Sequence, residues 1–153
     1  MSRREDLYRR LAYIALREFP DVVVGTEIIE GKLRIFIADK SFVDIWFSEK
    51  RKGVYAYHWE RRMIDGTIYR HNNLPDREAR NLDTFPKHFH DETEENIRES
   101  HINDDPEQAI RQLVSVSVRL NRPSLLRHLR IFNPNIHRFR TRLLGRVTGL
   151  HTF

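Results

Sequence analysis

Between positions 58 and 90 the chain carries His58, Glu60, Arg70, His71, Lys87, His88 and His90. These residue types ligate metals, move protons near neutral pH and hold phosphate. His88 and His90 are two residues apart, so in an extended segment both rings point to one side. That spacing fits two ligands to one metal or two proton-transfer groups, with Asp91 and Glu92 as neighbouring carboxylates. Spacing fixes no third ligand, so no metal and no cofactor is assigned. The set is read instead as acid–base machinery. His88, His90, His58, His71 and Glu60 are the candidate catalytic residues, and Arg70 and Lys87 the candidate phosphate binders. RNA cleavage by 2′-hydroxyl attack needs a base, an acid and a cation for the developing phosphate charge, and this set contains all three. The plainer reading is the polar face of an ordinary antiparallel sheet.

Positioning these groups requires strands. Leu7, Leu11, Ile14 and Ala15 recur at helical spacing, predicting a helix over 3–18 that Pro20 ends. Strand-like segments follow over 22–29, 33–37, 43–47, 54–60 and 67–71, joined by short polar links that favour an antiparallel meander. Asp65-Gly66 is a two-residue hairpin signal. Taken as the turn, it sets Arg61 opposite Arg70 and Glu60 opposite His71. One face then shows Tyr57, Trp59, Met63 and Ile68 as core, together with Arg61, Arg70 and Asn72. The other collects His58, Glu60, Arg62, Tyr69, His71 and Asn73. Residues 72–95 read as a long polar loop, with Phe85 and Phe89 pinning it to the core. A last short strand is expected over 97–102. Asp104 or Asp105 caps a helix that has Pro106 in its first turn and runs to about Leu120.

The fold expected is α+β: an N-terminal helix, a meander of five to six strands, a helix packed on the sheet and a basic helical C-terminal extension. Residues 1–122 form the domain and 123–153 the extension. The charge is segregated. Residues 108–153 hold nine arginines and no acid, a charge of +9, while the other 18 basic residues face 22 acidic ones, or −4. Arg138, Arg140 and Arg142 lie in that block and are candidate contacts to nucleic acid or an acidic partner. Its apolar residues, Leu125, Leu126, Leu129, Ile131 and Phe132 among them, call for packing on the domain or on a second copy, which leaves a homodimer open. The absence of cysteine excludes disulfides, thiolate zinc sites and cysteine nucleophiles. No run approaches the ~20 apolar residues of a membrane span, and a cytoplasmic protein without a membrane partner is expected.

The order of the motifs adds a resemblance. Tyr57-His58-Trp59, then Asp65-Gly66, then Tyr69-Arg70-His71-Asn72-Asn73-Leu74-Pro75, then Phe85-Pro86-Lys87-His88-Phe89-His90 resembles the TumE-type toxin family over residues 25–120. That family's pattern runs aromatic-His-Trp, Arg-x-Asp-Asn-Ala-Pro-His-His and Phe-Pro-His-His-x-His. Trp59, Asn73, Phe85 and Pro86 match it as structural motif residues. Asn72 stands where the family has Asp, Asp76 and Arg77 where it has a His pair, and Lys87 in place of the first His after Phe-Pro. These changes remove candidate metal ligands and add positive charge for phosphate. The resemblance implies a toxin paired with a cognate antitoxin, and a role class more than a reaction. The function expected is a toxin acting on RNA, as a metal-independent endoribonuclease or another RNA-targeting inhibitor. The alternative is a non-catalytic module of the same system that binds nucleic acid or protein.

Overall fold

A computed structural model of the chain describes residues 2–120. The expected basic extension, with Arg138, Arg140 and Arg142, lies outside the described residues. Two units are distinguished, Met1–Ser117 and Val118–Phe153; the sheet and the site described below belong entirely to the first.

The chain opens with helix α1 (Arg3–Glu18). Its start is fixed by a capping box in which Ser2 Oγ accepts from the Glu5 amide and the Glu5 carboxylate accepts from the Ser2 amide. Strands β1 (Val23–Ile29), β2 (Lys32–Ile37), β3 (Phe42–Phe47), β4 (Tyr55–Arg61), β5 (Thr67–Asn72), β6 (His88–Glu92) and β7 (Ile97–Glu99) follow, each antiparallel to its neighbour in chain order. Helix α3 (Pro106–Leu120) comes last, with Asp105 accepting from the Glu107 amide at its start. The α+β meander is therefore as expected, with seven strands in place of five to six.

The core lies on one face of the sheet. Along β2 and β4 every second residue is buried: Leu33, Ile35 and Ile37, then Tyr55, Tyr57, Trp59 and Arg61. Helix α1 contributes Tyr8, Leu11, Ile14 and Ala15 against them, and α3 contributes Ala109, Ile110, Leu113 and Val114. The Tyr8 hydroxyl donates to the Gly31 carbonyl and accepts from the Phe47 amide, tying α1 to both ends of the β2–β3 hairpin. Glu18 and Arg111 join α1 to α3 through two hydrogen bonds of 2.8 Å.

Two readings of the sequence need correction. Asp65-Gly66 does not make a two-residue hairpin. Residues Arg62–Asp65 form a single helical turn, α2, closed by Gly66 at φ 78°. Asp65 accepts from the Thr67 amide and hydroxyl and from Arg61, so it caps the connection instead of occupying a tight turn. The longer connection moves the register by three residues: Arg61 faces Thr67, Glu60 faces Ile68, Trp59 faces Tyr69, His58 faces Arg70 and Tyr57 faces His71. An odd shift exchanges the faces of β5 relative to β4. Tyr69 and His71 join Trp59 on the helix face, Arg70 and Ile68 join His58 on the opposite one, and Met63 is 97% exposed instead of core.

The second correction concerns 72–95. This stretch holds a 3-10 turn (Arg77–Ala79) and strand β6, which pairs with β5 and β7. Phe85 is exposed and precedes a cis bond to Pro86, so only Phe89 of the two aromatics anchors the segment.

Arg61 closes the helix face. Its side chain is 1% exposed, lies over the Trp59 ring, and bonds the Asp39 and Asp65 carboxylates at 2.5 and 3.0 Å. Burial pushes both carboxyls up, but hydrogen bonds from Ser41, Thr67 and Arg61 outweigh it and hold them below their ordinary value of 3.8. Carboxyls depressed in the fold contribute stability above pH 3.8 that is lost as pH falls through their folded values. Arg61→Met therefore costs about 3 kcal/mol at pH 7, the low end for a broken buried pair because both carboxylates reach solvent. The deficit shrinks at pH 3. Denaturant unfolding of both proteins at the two pH values measures it, and a deficit unchanged at pH 3 would sink the ion-pair account.

Candidate functional site

The face of the sheet away from the helices collects the chemistry. In register across it stand Asp44 on β3, His58 on β4, Arg70 on β5 and His90 on β6, each paired with the next. His88 and Asn72 form the adjacent row. On β6 the buried residues are His88, 1% exposed, and His90, 4% exposed. They are buried because the segment after β5 folds back over them. Asn72 Oδ1 accepts from the Leu74 amide and turns the chain. Asp76 caps the 3-10 turn through the Glu78 amide, and the fully buried Ala79 follows. A cleft of about 440 Å³ remains between this segment and the sheet, with Arg70, Asp76, Arg77, His88 and His90 in its wall. A second recess of about 390 Å³, with Lys32, Asp44, His58 and Arg70 in its wall, shares Ala56 and Arg70 with the first.

The proton positions on the two buried rings follow from their partners. His88 Nδ1 lies 2.8 Å from the Pro86 carbonyl and His90 Nδ1 lies 2.7 Å from the Glu94 carbonyl. A carbonyl only accepts, so both Nδ1 atoms carry hydrogen and donate. In the neutral ring that leaves Nε2 as a bare acceptor. His88 Nε2 faces Asp76 Oδ2 at 4.0 Å. Burial, with Arg70 and His88 nearby, lowers the His90 pKa despite the Glu94 carbonyl. A ring held neutral in this way is a poor general acid.

His58 is different. It is partly open and shares a proton with Glu60, Nε2 to Oε2 at 3.1 Å. Burial pushes the Glu60 carboxyl up, but hydrogen bonds from the Arg62 amide and His58, with the Arg62 guanidinium, hold it below the ordinary range. The carboxylate therefore accepts from Nε2–H and leaves Nδ1 as the free base. Arg70 lies between His58 and His90 and is held by the Glu94 carboxylate.

The remaining candidates go elsewhere. His71 is on the helix face, stacked on Phe89 with centroids 4.2 Å apart and bonded to Ser100 Oγ at 2.8 Å. It shares a groove with Gln112, Leu113 and Val116 of α3 and not the cleft. Lys87 pairs with Asp104 at 2.9 Å. Trp59 Nε1 donates to Ser41 Oγ, and Asn73 ties the Tyr55 amide to the Gly53 carbonyl, so both serve the architecture. Asp76 was not singled out as a site residue from the sequence, and Arg77 entered only as added positive charge for phosphate, although both fill positions where the resembled pattern has His.

Burial, then the charges of Lys87, His101 and His88, brings the His71 pKa from 6.5 down to about 4. The folded chain keeps this ring neutral while the unfolded chain protonates it, so its stability contribution is complete above pH 6.5 and is lost as pH falls toward 4. His71→Gln keeps a partner for Ser100 and flattens the fall of the thermal midpoint between those values. Calorimetry across that range checks it, and identical slopes for the two proteins would refute the assignment.

No curated protein and no solved structure matches the chain at a significant level. A family model does match, that of Toxin TumE, over residues 10–120. The matched span runs from within α1 to the end of α3 and includes all seven strands and every residue of the cleft. The chain belongs to the TumE toxin family.

Proposed function

We propose that this toxin acts on RNA and that the cleft face of the sheet handles the phosphodiester. The observation that carries the reading is the row His58–Arg70–His90, paired strand to strand on the face the helices leave free. It sets a carboxylate-oriented imidazole beside a guanidinium. In this reading His58 takes the proton from the ribose 2′-hydroxyl, and the 2′-oxygen attacks phosphorus. The bond to the 5′-oxygen breaks, that oxygen takes a proton from solvent, and the products are a 2′,3′-cyclic phosphate and a 5′-hydroxyl. Arg70 and Arg77 supply the countercharge to the phosphorane. Glu60 stabilises the imidazolium that forms on His58. The Arg-rich segment beyond residue 121 adds phosphate contacts, so binding falls steeply with salt. The family also implies an antitoxin, and an acidic segment placed over Arg70 and Arg77 is the simplest way to neutralise the cleft.

His58→Gln and Glu60→Gln each leave the folded sheet intact and lower RNA cleavage by about 10²–10⁴-fold, the range for loss of a positioned base. Growth arrest on induction and the 5′ ends of RNA exposed to the purified protein are the readouts. A His58→Gln protein that arrests growth as well as wild type would favour the non-catalytic binding module over catalysis.

A further inference from the structure

The buried end of the cleft has the donor set of a metal centre. One ligand atom from each of Asp76, His88 and His90 lies within 4.8 Å of the other two. We propose that these three residues bind one first-row divalent cation of the zinc or iron type, with open coordination positions toward Arg70 and Arg77. This goes beyond the RNA reading and stands without it.

Three features of the cluster argue for a metal over a structural polar contact. The first is orientation. Each imidazole donates Nδ1–H to a backbone carbonyl, Pro86 for His88 and Glu94 for His90. A carbonyl behind Nδ1–H fixes the orientation of a metal-binding histidine and leaves Nε2 as the ligand atom. The second is availability. With Nδ1 spent on a carbonyl, each ring keeps an Nε2 acceptor for a ligand in the cleft that both rings line. The His88 and His90 rings stand edge to face with centroids 5.0 Å apart. The third is charge. Among the described residues the only ion-pair partner within 4.0 Å of Asp76 is His88, so neither a lysine nor an arginine pairs with this carboxylate.

The geometry is close to closed. Ligands at ~2.0–2.2 Å around a tetrahedral ion are about 3.3 Å apart. Asp76 Oδ2 and His88 Nε2, at 4.0 Å, need to approach by less than about 1 Å. Asp76 sits on the segment that folds over the sheet, and its Oδ1 is anchored by the Glu78 amide. The rings come from the sheet, so the segment and the strands meet at the ion. Two imidazoles and one carboxylate suit zinc or ferrous iron and are too nitrogen-rich for magnesium or calcium. Three protein ligands with open positions match sites where the ion acts on a bound molecule, in contrast to closed structural sites. Asp91 and Glu92, the carboxylates adjacent in sequence, are not in the cluster.

Cobalt(II) is the probe, because its visible bands report ligand number. The full chain, purified without a histidine tag and stripped with chelator, is titrated with cobalt chloride and then with zinc chloride as competitor. The expected result is one equivalent of cobalt with four- or five-coordinate bands, displaced by zinc. Asp76→Asn keeps the cap on the 3-10 turn and weakens binding by more than about 100-fold, at least the loss seen for a second-shell partner. Asp76→His, which replaces one ligand with another, keeps binding within about tenfold of wild type. Circular dichroism confirms that both variants fold. Absence of a one-equivalent site, or equal cobalt binding by wild type and Asp76→Asn, overturns the proposal. The readout contains no RNA, so its failure leaves the reading of His58 and Arg70 untouched, and failure of that reading leaves the metal site untouched.

Discussion

The five-residue connection between β4 and β5 decides on which side of the sheet every later side chain lies. Strand side chains alternate, so a connection of one parity or the other sends Arg70 to the helices or to the cleft. Here Asp65 is saturated by Thr67 and Arg61, and Gly66 takes the left-handed conformation that closes a helical turn. With that parity Arg70 faces His58, and β6, pairing on from β5, places His90 beside Arg70. The buried Arg61, reaching Asp39 on one side and Asp65 on the other, locks the connection to the β2–β3 turn. A stability element on the helix face thereby holds the register that assembles the cleft on the other.

The two faces treat polar groups in opposite ways. On the helix face Trp59 is bonded to Ser41, Arg61 to its two carboxylates and His71 to Ser100, while the buried Tyr55 hydroxyl has no partner among the described residues. On the cleft face the partners orient the rings but do not consume them. His88 and His90 spend their donors on backbone carbonyls and keep their acceptors. Both rings line the cleft.

Much of the scaffold was legible because its signals are local. The amphipathic run to Glu18, the alternation in β2 and the Pro106 start of α3 each need only a few consecutive residues. The motif order likewise identified the family. Strand β6 was not legible, because both of its faces are polar or aromatic and no hydrophobic alternation marks it. The register was misread because Asp-Gly also serves as the end of a helical turn. For the site, the fold brings His58, Arg70, His88 and His90 of the candidates to one face and sends His71 and Lys87 elsewhere. Arg70 was placed on the wrong side for the same reason of parity. Asp76 was passed over because its approach to His88 depends on the segment from Asn72 folding back, which no spacing rule contains.

The contrast among the histidines shows why residue type alone could not sort them. His71 and His90 lie on adjacent strands one position out of register, so they point to opposite faces. His90 is buried and His71 half-buried, and both have a pKa below the ordinary value. His71 is enclosed by Phe89, Ser100 and the α3 side chains and serves packing. His90 opens onto a cleft with a guanidinium on one side and a carboxylate across it. His58, less buried, is tied to Glu60. In the proposed readings proton transfer falls to the imidazole on β4 and ligation to those on β6, and Arg70 on β5 lies between them.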